Sequence, residues 1–257
     1  MSLKFRNVIK KTVLVILSFI MILPYTTVIA SSANYISNNN PNMQRSDLTF
    51  IKGNAGDKNV IYTYKENGKK YKIIENADEG FNNVISKKFK LTENGDYEEI
   101  QNQNLKQISN DSFILTSKDE LGIRQEKIDI TMVKSYDGNR LNDELVSLYY
   151  TDPGTGERRT REYDGSSKIQ DMMVSGISAV LGAALGGKVG AGIGAIASTY
   201  FQKGADRAYY HVVYNWMMSK LHPVNVVLRE TQYTVFYLDA AHNYKTGSDY
   251  YEYDGRW

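Results

Sequence analysis

Few side chains in this 257-residue chain are of a type and spacing that could do covalent chemistry. Its three histidines, His211, His222 and His242, fall in no HExxH or comparable metal-ligand spacing. There is no cysteine, which removes thiol nucleophiles, thiolate metal sites and disulfides together. Neither a nucleophile elbow nor a P-loop occurs. Glu162, Asp164, Asp239 and Asp249 could supply a carboxylate pair of the kind glycosidases use, but their spacing is that of turn residues. His211 lies in an apolar-patterned stretch, where a packing role is expected. These residues predict no catalytic site, no metal and no cofactor, and hence a protein that is not an enzyme.

The chemistry the spacing does suggest is association. Ser178, Gly182, Gly186, Gly190, Gly194 and Ser198 recur every fourth residue, which on one helix makes a stripe with almost no side-chain bulk. Ala179, Ala183, Gly187, Ala191, Ala195 and Thr199 form a second small row beside it, so that another backbone could approach closely, as in membrane helix pairs. Ile177, Val180, Leu181, Leu185, Val189, Ile193 and Ile196 crowd the opposite side. The apolar stretch, 172–201, exceeds the roughly 20 residues needed to cross a hydrocarbon core. Lys188, at its centre, is expected to face a bundle interior, water or anionic headgroups. The Gly186-Gly187 pair also permits a helical hairpin, and both geometries stay open. The plainer alternative is a core helix packed on a sheet through its glycine face.

The elements around this segment fall into five parts. Lys4, Arg6, Lys10 and Lys11, an apolar run from Thr12 to Ile22, and small Val28 and Ala30 read as a signal peptide over 1–30, and hence a secreted, extracellular protein. Its removal shifts the formal charge from +2 to −2, leaving no electrostatic case for nucleic acid. Residues 31–47, with SNNNPN, read as a disordered spacer. Residues 48–165 read as an antiparallel β domain, with hairpins at Asn67-Gly68 and Asn94-Gly95. The block 166–222 reads as helical, joining the glycine segment to an amphipathic helix over 205–221. Tyr209, Tyr210, Tyr214 and Trp216 on that helix suit a membrane interface. Residues 223–257 read as Tyr-rich strands, giving an α+β fold class overall. Tyr-Asp-Gly recurs at Tyr136, Tyr163 and Tyr253, most simply as strand-end turn chemistry.

A basic leader, a polar spacer and LGAALGGKVGAGIGAIAS followed by an aromatic stretch resemble secreted bacteriocins of Gram-positive bacteria, in particular the larger, cysteine-free, geobacillin-like ones. The resemblance covers residues 1–33 and 172–221 and implies an antimicrobial protein that inserts a glycine-zipper helix. Its partners would be the target-cell membrane, a second copy through the zipper and a cognate immunity protein. The competing expectation is a secreted cell-surface or wall-binding protein with a buried glycine-rich helix.

Overall fold

The computed structural model describes residues 45–136, 155–187, 189–219 and 227–254. The leader, most of the spacer, Lys188 and His222 lie outside the described residues. The chain divides into two units, 1–36 and 37–257, and every described residue belongs to the second.

Among the described residues, eleven strands follow one another in a meander, each antiparallel to the next. They are β1 (Arg45–Lys52), β2 (Asn59–Glu66), β3 (Lys69–Ala77), β4 (Asn83–Leu91), β5 (Tyr97–Ser109), β6 (Ser112–Asp119), β7 (Gly122–Tyr136), β8 (Thr155–Lys168), β9 (Arg207–Ser219), β10 (Val227–Tyr237) and β11 (Lys245–Asp254). Helices α1 (Val174–Ala184) and α2 (Ala191–Lys203) lie between β8 and β9 in the chain. At the β2–β3 turn, Asn67 and Gly68 both take positive φ, 50° and 75°, the backbone that a two-residue hairpin requires. β7 joins two blocks of sheet. Its first half pairs with β6 up to Asp129, and its second half pairs with β8 from Ile130 onward.

The sheet wraps the helices. Along β2, Val60, Tyr62, Tyr64 and Glu66 are buried at period two, the alternation of a strand with one face on a core. Ile73, Val84, Leu105 and Phe113 continue that face across β3 to β6, and Tyr210, Val212 and Phe236 continue it on β9 and β10. Helix α1 packs on β3, β4 and β8, whereas α2 touches both β1 and β11, the first and last strands. One helix about 20 Å long can reach both ends of an eleven-stranded sheet only if the sheet curls around it.

Three expectations are corrected here. The α+β class gives way to one antiparallel sheet carrying two short helices. The amphipathic helix over 205–221 is strand β9. Its Tyr and Val residues suit a pleated surface, and it pairs along its length with β8 and β10. A 3.6-residue reading of these positions was available, but Ala208, Tyr210 and Val212 are buried at alternate positions while Tyr209, His211 and Val213 between them are partly exposed. Period two wins because two neighbouring strands supply every ladder bond.

The glycine-zipper helix, and the zipper hairpin, are likewise not what forms. Helix α1 ends where Gly186 and Gly187 adopt φ of 83° and 86°, and the amide of Gly187 donates to the carbonyl of Gly182 at 2.8 Å. Gly190 stands before α2 in extended backbone, φ −155°. Two of the four zipper glycines are therefore outside any helix. No helix among the described residues is long and apolar enough to cross a membrane.

Candidate functional site

The α1–α2 segment carries the glycine row, and its contacts differ from one glycine to the next. Ser178 is buried and donates through Oγ to Val174 of its own helix at 2.9 Å. Gly182 is buried on α1, and a side chain at Gly186 or Gly190 would meet nothing within 4 Å. Gly194 is different. A Cβ there would stand 2.1 Å from the carbonyl carbon of Ala55 in the β1–β2 loop. At Gly192 it would stand 2.6 Å from Asp249 Oδ1, and at Gly247 of β11 it would stand 2.9 Å from Ile196 Cγ1. Small residues thus serve close docking of α2 between the β1–β2 loop and β11, and not a helix-to-helix stripe. Ser198 Oγ is buried without a hydrogen-bond partner among the described residues.

Polar groups of the sheet hold the outer ends of this pair. Neither helix has a side-chain N-cap of its own, so the free amides at the start of α1 need acceptors from elsewhere. Glu75, fully buried on β3, accepts from the amide of Ser175 with both carboxylate oxygens, at 3.1 and 3.0 Å. Ser86 Oγ donates to the same carboxylate at 2.7 Å. The Tyr62 hydroxyl accepts from the amide of Val174 at 3.1 Å and bonds to Glu75. Burial pushes the Glu75 carboxyl above its ordinary value, against the opposing pull of these donors. Burial, reinforced by Glu75, also pushes the Tyr62 hydroxyl well up.

At the far end, Arg45 of β1 donates to the carbonyl of Phe201, in the last turn of α2, at 3.1 Å, a cation placed where the helix dipole favours one. Its guanidinium sits 4.3 Å from the Phe201 ring centroid and bonds Glu66 at 2.8 Å. Lys88 of β4 holds the other oxygen of Glu66 at 2.9 Å and lies over the Tyr71 ring at 4.3 Å. Burial pushes Glu66 up, yet the two cations win and its carboxyl lies below the usual range. Burial also holds Lys88 below its ordinary value. Gly204 then stops α2 in left-handed backbone, φ 59°.

The expected interfacial aromatics lie on β9. Tyr210 is buried, with its hydroxyl 3.0 Å from Ser167 Oγ. Tyr209 is partly exposed, and Tyr214 and Trp216 are too, their rings 5.2 Å apart. Arg161 covers Trp216 at 5.0 Å. Lys188 lies outside the described residues.

Also on β9, on the face that carries Tyr209, His211 Nδ1 and Asp164 Oδ1 are 2.8 Å apart. His242 stacks on Tyr237 at 4.4 Å and stands 6.4 Å from His211, ring to ring. The tight β10–β11 loop places it there. Asp239 accepts from the amides of Asn243 and Tyr244 at 3.2 and 2.9 Å, and His242 takes φ 59°. Burial pushes Asp239 up, but the hydrogen bonds from Tyr244, Asn243 and Ala241 together prevail and hold it below the usual carboxylate range. Asp239→Ala is expected to cost about 1 kcal/mol, the typical value of such a bond, and to broaden the His242 ring signals in NMR. Unchanged signals would show that the loop holds itself. Glu162 reaches His211 at 3.9 Å, and Asp249 lies elsewhere, against Gly192. No group of three or more metal-ligating side chains converges among the described residues. The His211–Asp164 pair orients the imidazole by hydrogen bonding.

Sequence reasoning missed Glu75, Tyr62, Arg45, Glu66 and Lys88. A signal existed for the two acids, since Glu75 follows Ile73, and Glu66 follows Tyr62 and Tyr64, at the alternation of inward-facing positions. Comparison with protein-family models, curated proteins and solved structures finds no match to this chain.

Proposed function

We propose that the chain is a secreted antimicrobial protein that acts on target-cell membranes, with the α1–α2 segment as its membrane-active part. The observation that carries this reading is the manner of fastening. A 30-residue apolar span of poor helix formers is stored as two short helices inside a curled sheet. Sheet side chains grip its outer ends, through Glu75 and Tyr62 at one and Arg45 at the other. Its middle, at Gly186 and Gly187, is unencumbered. Releasing the grips exposes a segment long enough to span a bilayer when continuous. The mechanism is conditional release, and the glycines act twice, docking α2 in the stored form and allowing close helix packing once in lipid.

A second reading is favoured by a different observation. The first nine residues of α1 are buried, as a permanent core would be, and β8 to β10 with the β10–β11 loop present Asp164, His211, Tyr237 and His242 together, partly exposed. On that reading the protein binds a cell surface or wall polymer and the helices never leave.

A disulfide separates the two. The chain has no cysteine, and the Ile196 and Gly247 side-chain positions nearly touch, within bridging reach. The double variant Ile196→Cys with Gly247→Cys ties α2 to β11. The oxidised form is expected to lose dye release from anionic liposomes and growth inhibition of Gram-positive indicator strains, with both restored by reductant. Equal leakage from the tied and free forms would refute release, and retention on cell walls without leakage from either would establish the second reading.

A further inference from the structure

Glu75 grips the start of α1 through the Ser175 amide. It is fully buried, and the groups facing it come from three elements. Tyr62 from β2 is the titratable one. Ser86 from β4 and Ser175 from α1 donate and carry no charge. No cation contacts it among the described residues, in contrast to Glu66, which has two. A buried carboxylate without a cation is costly, because the desolvation of an ion exceeds what neutral donors and one helix terminus return.

We propose that Glu75 is a proton-controlled latch on α1. Carrying a proton, it donates that proton to the Tyr62 hydroxyl oxygen and accepts from the Ser175 amide through its carbonyl oxygen, which fastens the start of the helix to β2 and β3. Losing that proton leaves an unpaired charge in the core, and the helix end is freed. The latch rests on the reading of α1–α2 as the released segment, and adds the signal that releases it.

The direction follows from proton linkage. The folded protein holds the Glu75 proton more tightly than the unfolded chain does, because burial penalises the charged form. The contribution is therefore complete below the ordinary glutamate value of 4.5, and is lost as pH rises through the higher folded value. The stored form is tightest in acid and loosens toward neutrality. Each pH unit between those two values changes the opening equilibrium about tenfold.

The test uses the chain from Ser31 to Trp257 and hydrogen exchange of the α1 amides across pH 5 to 8, with rates corrected for the intrinsic pH dependence of exchange. Wild type is expected to lose protection in α1 progressively as pH rises. Glu75→Gln, which is neutral at every pH and can still accept from Ser175 through its amide oxygen, is expected to keep its protection. Parallel profiles for the two proteins would overturn the latch. Should Glu75→Gln not fold, the carboxylic C=O stretch of wild type, read by infrared difference across the same pH range, decides alone. The protonated band must persist above pH 4.5 and fade in step with α1 protection, and its absence at pH 5 would overturn the proposal. Dye release measured on the same samples keeps the two claims apart. Loss of α1 protection without leakage keeps the latch and refutes the membrane reading, whereas leakage with parallel exchange profiles does the reverse.

Discussion

Gly194→Ala is expected to lower the unfolding free energy by about 3 kcal/mol, the upper part of the range for overpacked interiors, while Gly190→Ala leaves it nearly unchanged. The two glycines are equivalent in sequence, one step apart in the same row of four. They differ in what stands opposite. At Gly194 a methyl would lie 2.1 Å from the carbonyl carbon of Ala55, 2.2 Å from its oxygen and 2.3 Å from the nitrogen of Gly56. Those are backbone atoms of the β1–β2 loop, which cannot swing aside as a side-chain tip can. Relief requires α2 to lift from the loop, and that movement also loosens Ile193, Ile196 and Ala197, buried on the same helix. At Gly190 nothing lies within 4 Å, and its extended φ of −155° suits alanine. Urea unfolding of both variants checks this. Equal midpoints would mean that the glycines act as one continuous stripe, the zipper expectation, and that α2 does not dock through Gly194.

The same contrast explains what was legible in the sequence and what was not. Asn67-Gly68 between alternating strands announces its hairpin because the backbone requirement is local, two residues with positive φ. The segment over 205–221 misled because Tyr, Val, Trp and Met at those positions satisfy a helical face and a strand face alike. What settles it is pairing with β10 and with β8, the latter lying beyond both helices in sequence. The glycine row misled for a related reason. Its regular spacing describes a stripe only if one helix runs through it, and Gly186 with Gly187 in left-handed backbone ends that helix. The site was least legible of all. Glu75 and Glu66 look like ordinary strand acids until the strands are assembled, when each proves to face inward, one toward a helix start and the other toward two cations.

Those two acids should respond to pH in opposite senses, and Glu66 carries the larger expected effect. Glu66→Gln is expected to destabilise the fold by about 3 to 5 kcal/mol, the cost of removing one partner from a buried ion cluster. It leaves Arg45 and Lys88, whose side chains are 9% and 13% exposed, without their shared counter-charge. The carboxyl of Glu66 is held below its ordinary 4.5 because its two cations outweigh burial. Its contribution is therefore present above that value and is lost as pH falls through the lower folded one. Thermal unfolding of wild type should show a steep acid limb, and Glu66→Gln should flatten it at the cost of a lower plateau. The double variant Glu66→Gln with Lys88→Met should recover part of the loss, since it removes one stranded cation. If Glu66→Gln unfolded at the wild-type temperature near neutral pH, Arg45 would not be fastening the end of α2 through this cluster. A retained acid limb in that variant would assign it to other carboxylates. With both acids in place the fold should be squeezed from two sides, Glu66 setting a lower pH bound on the docked helices and Glu75 an upper one.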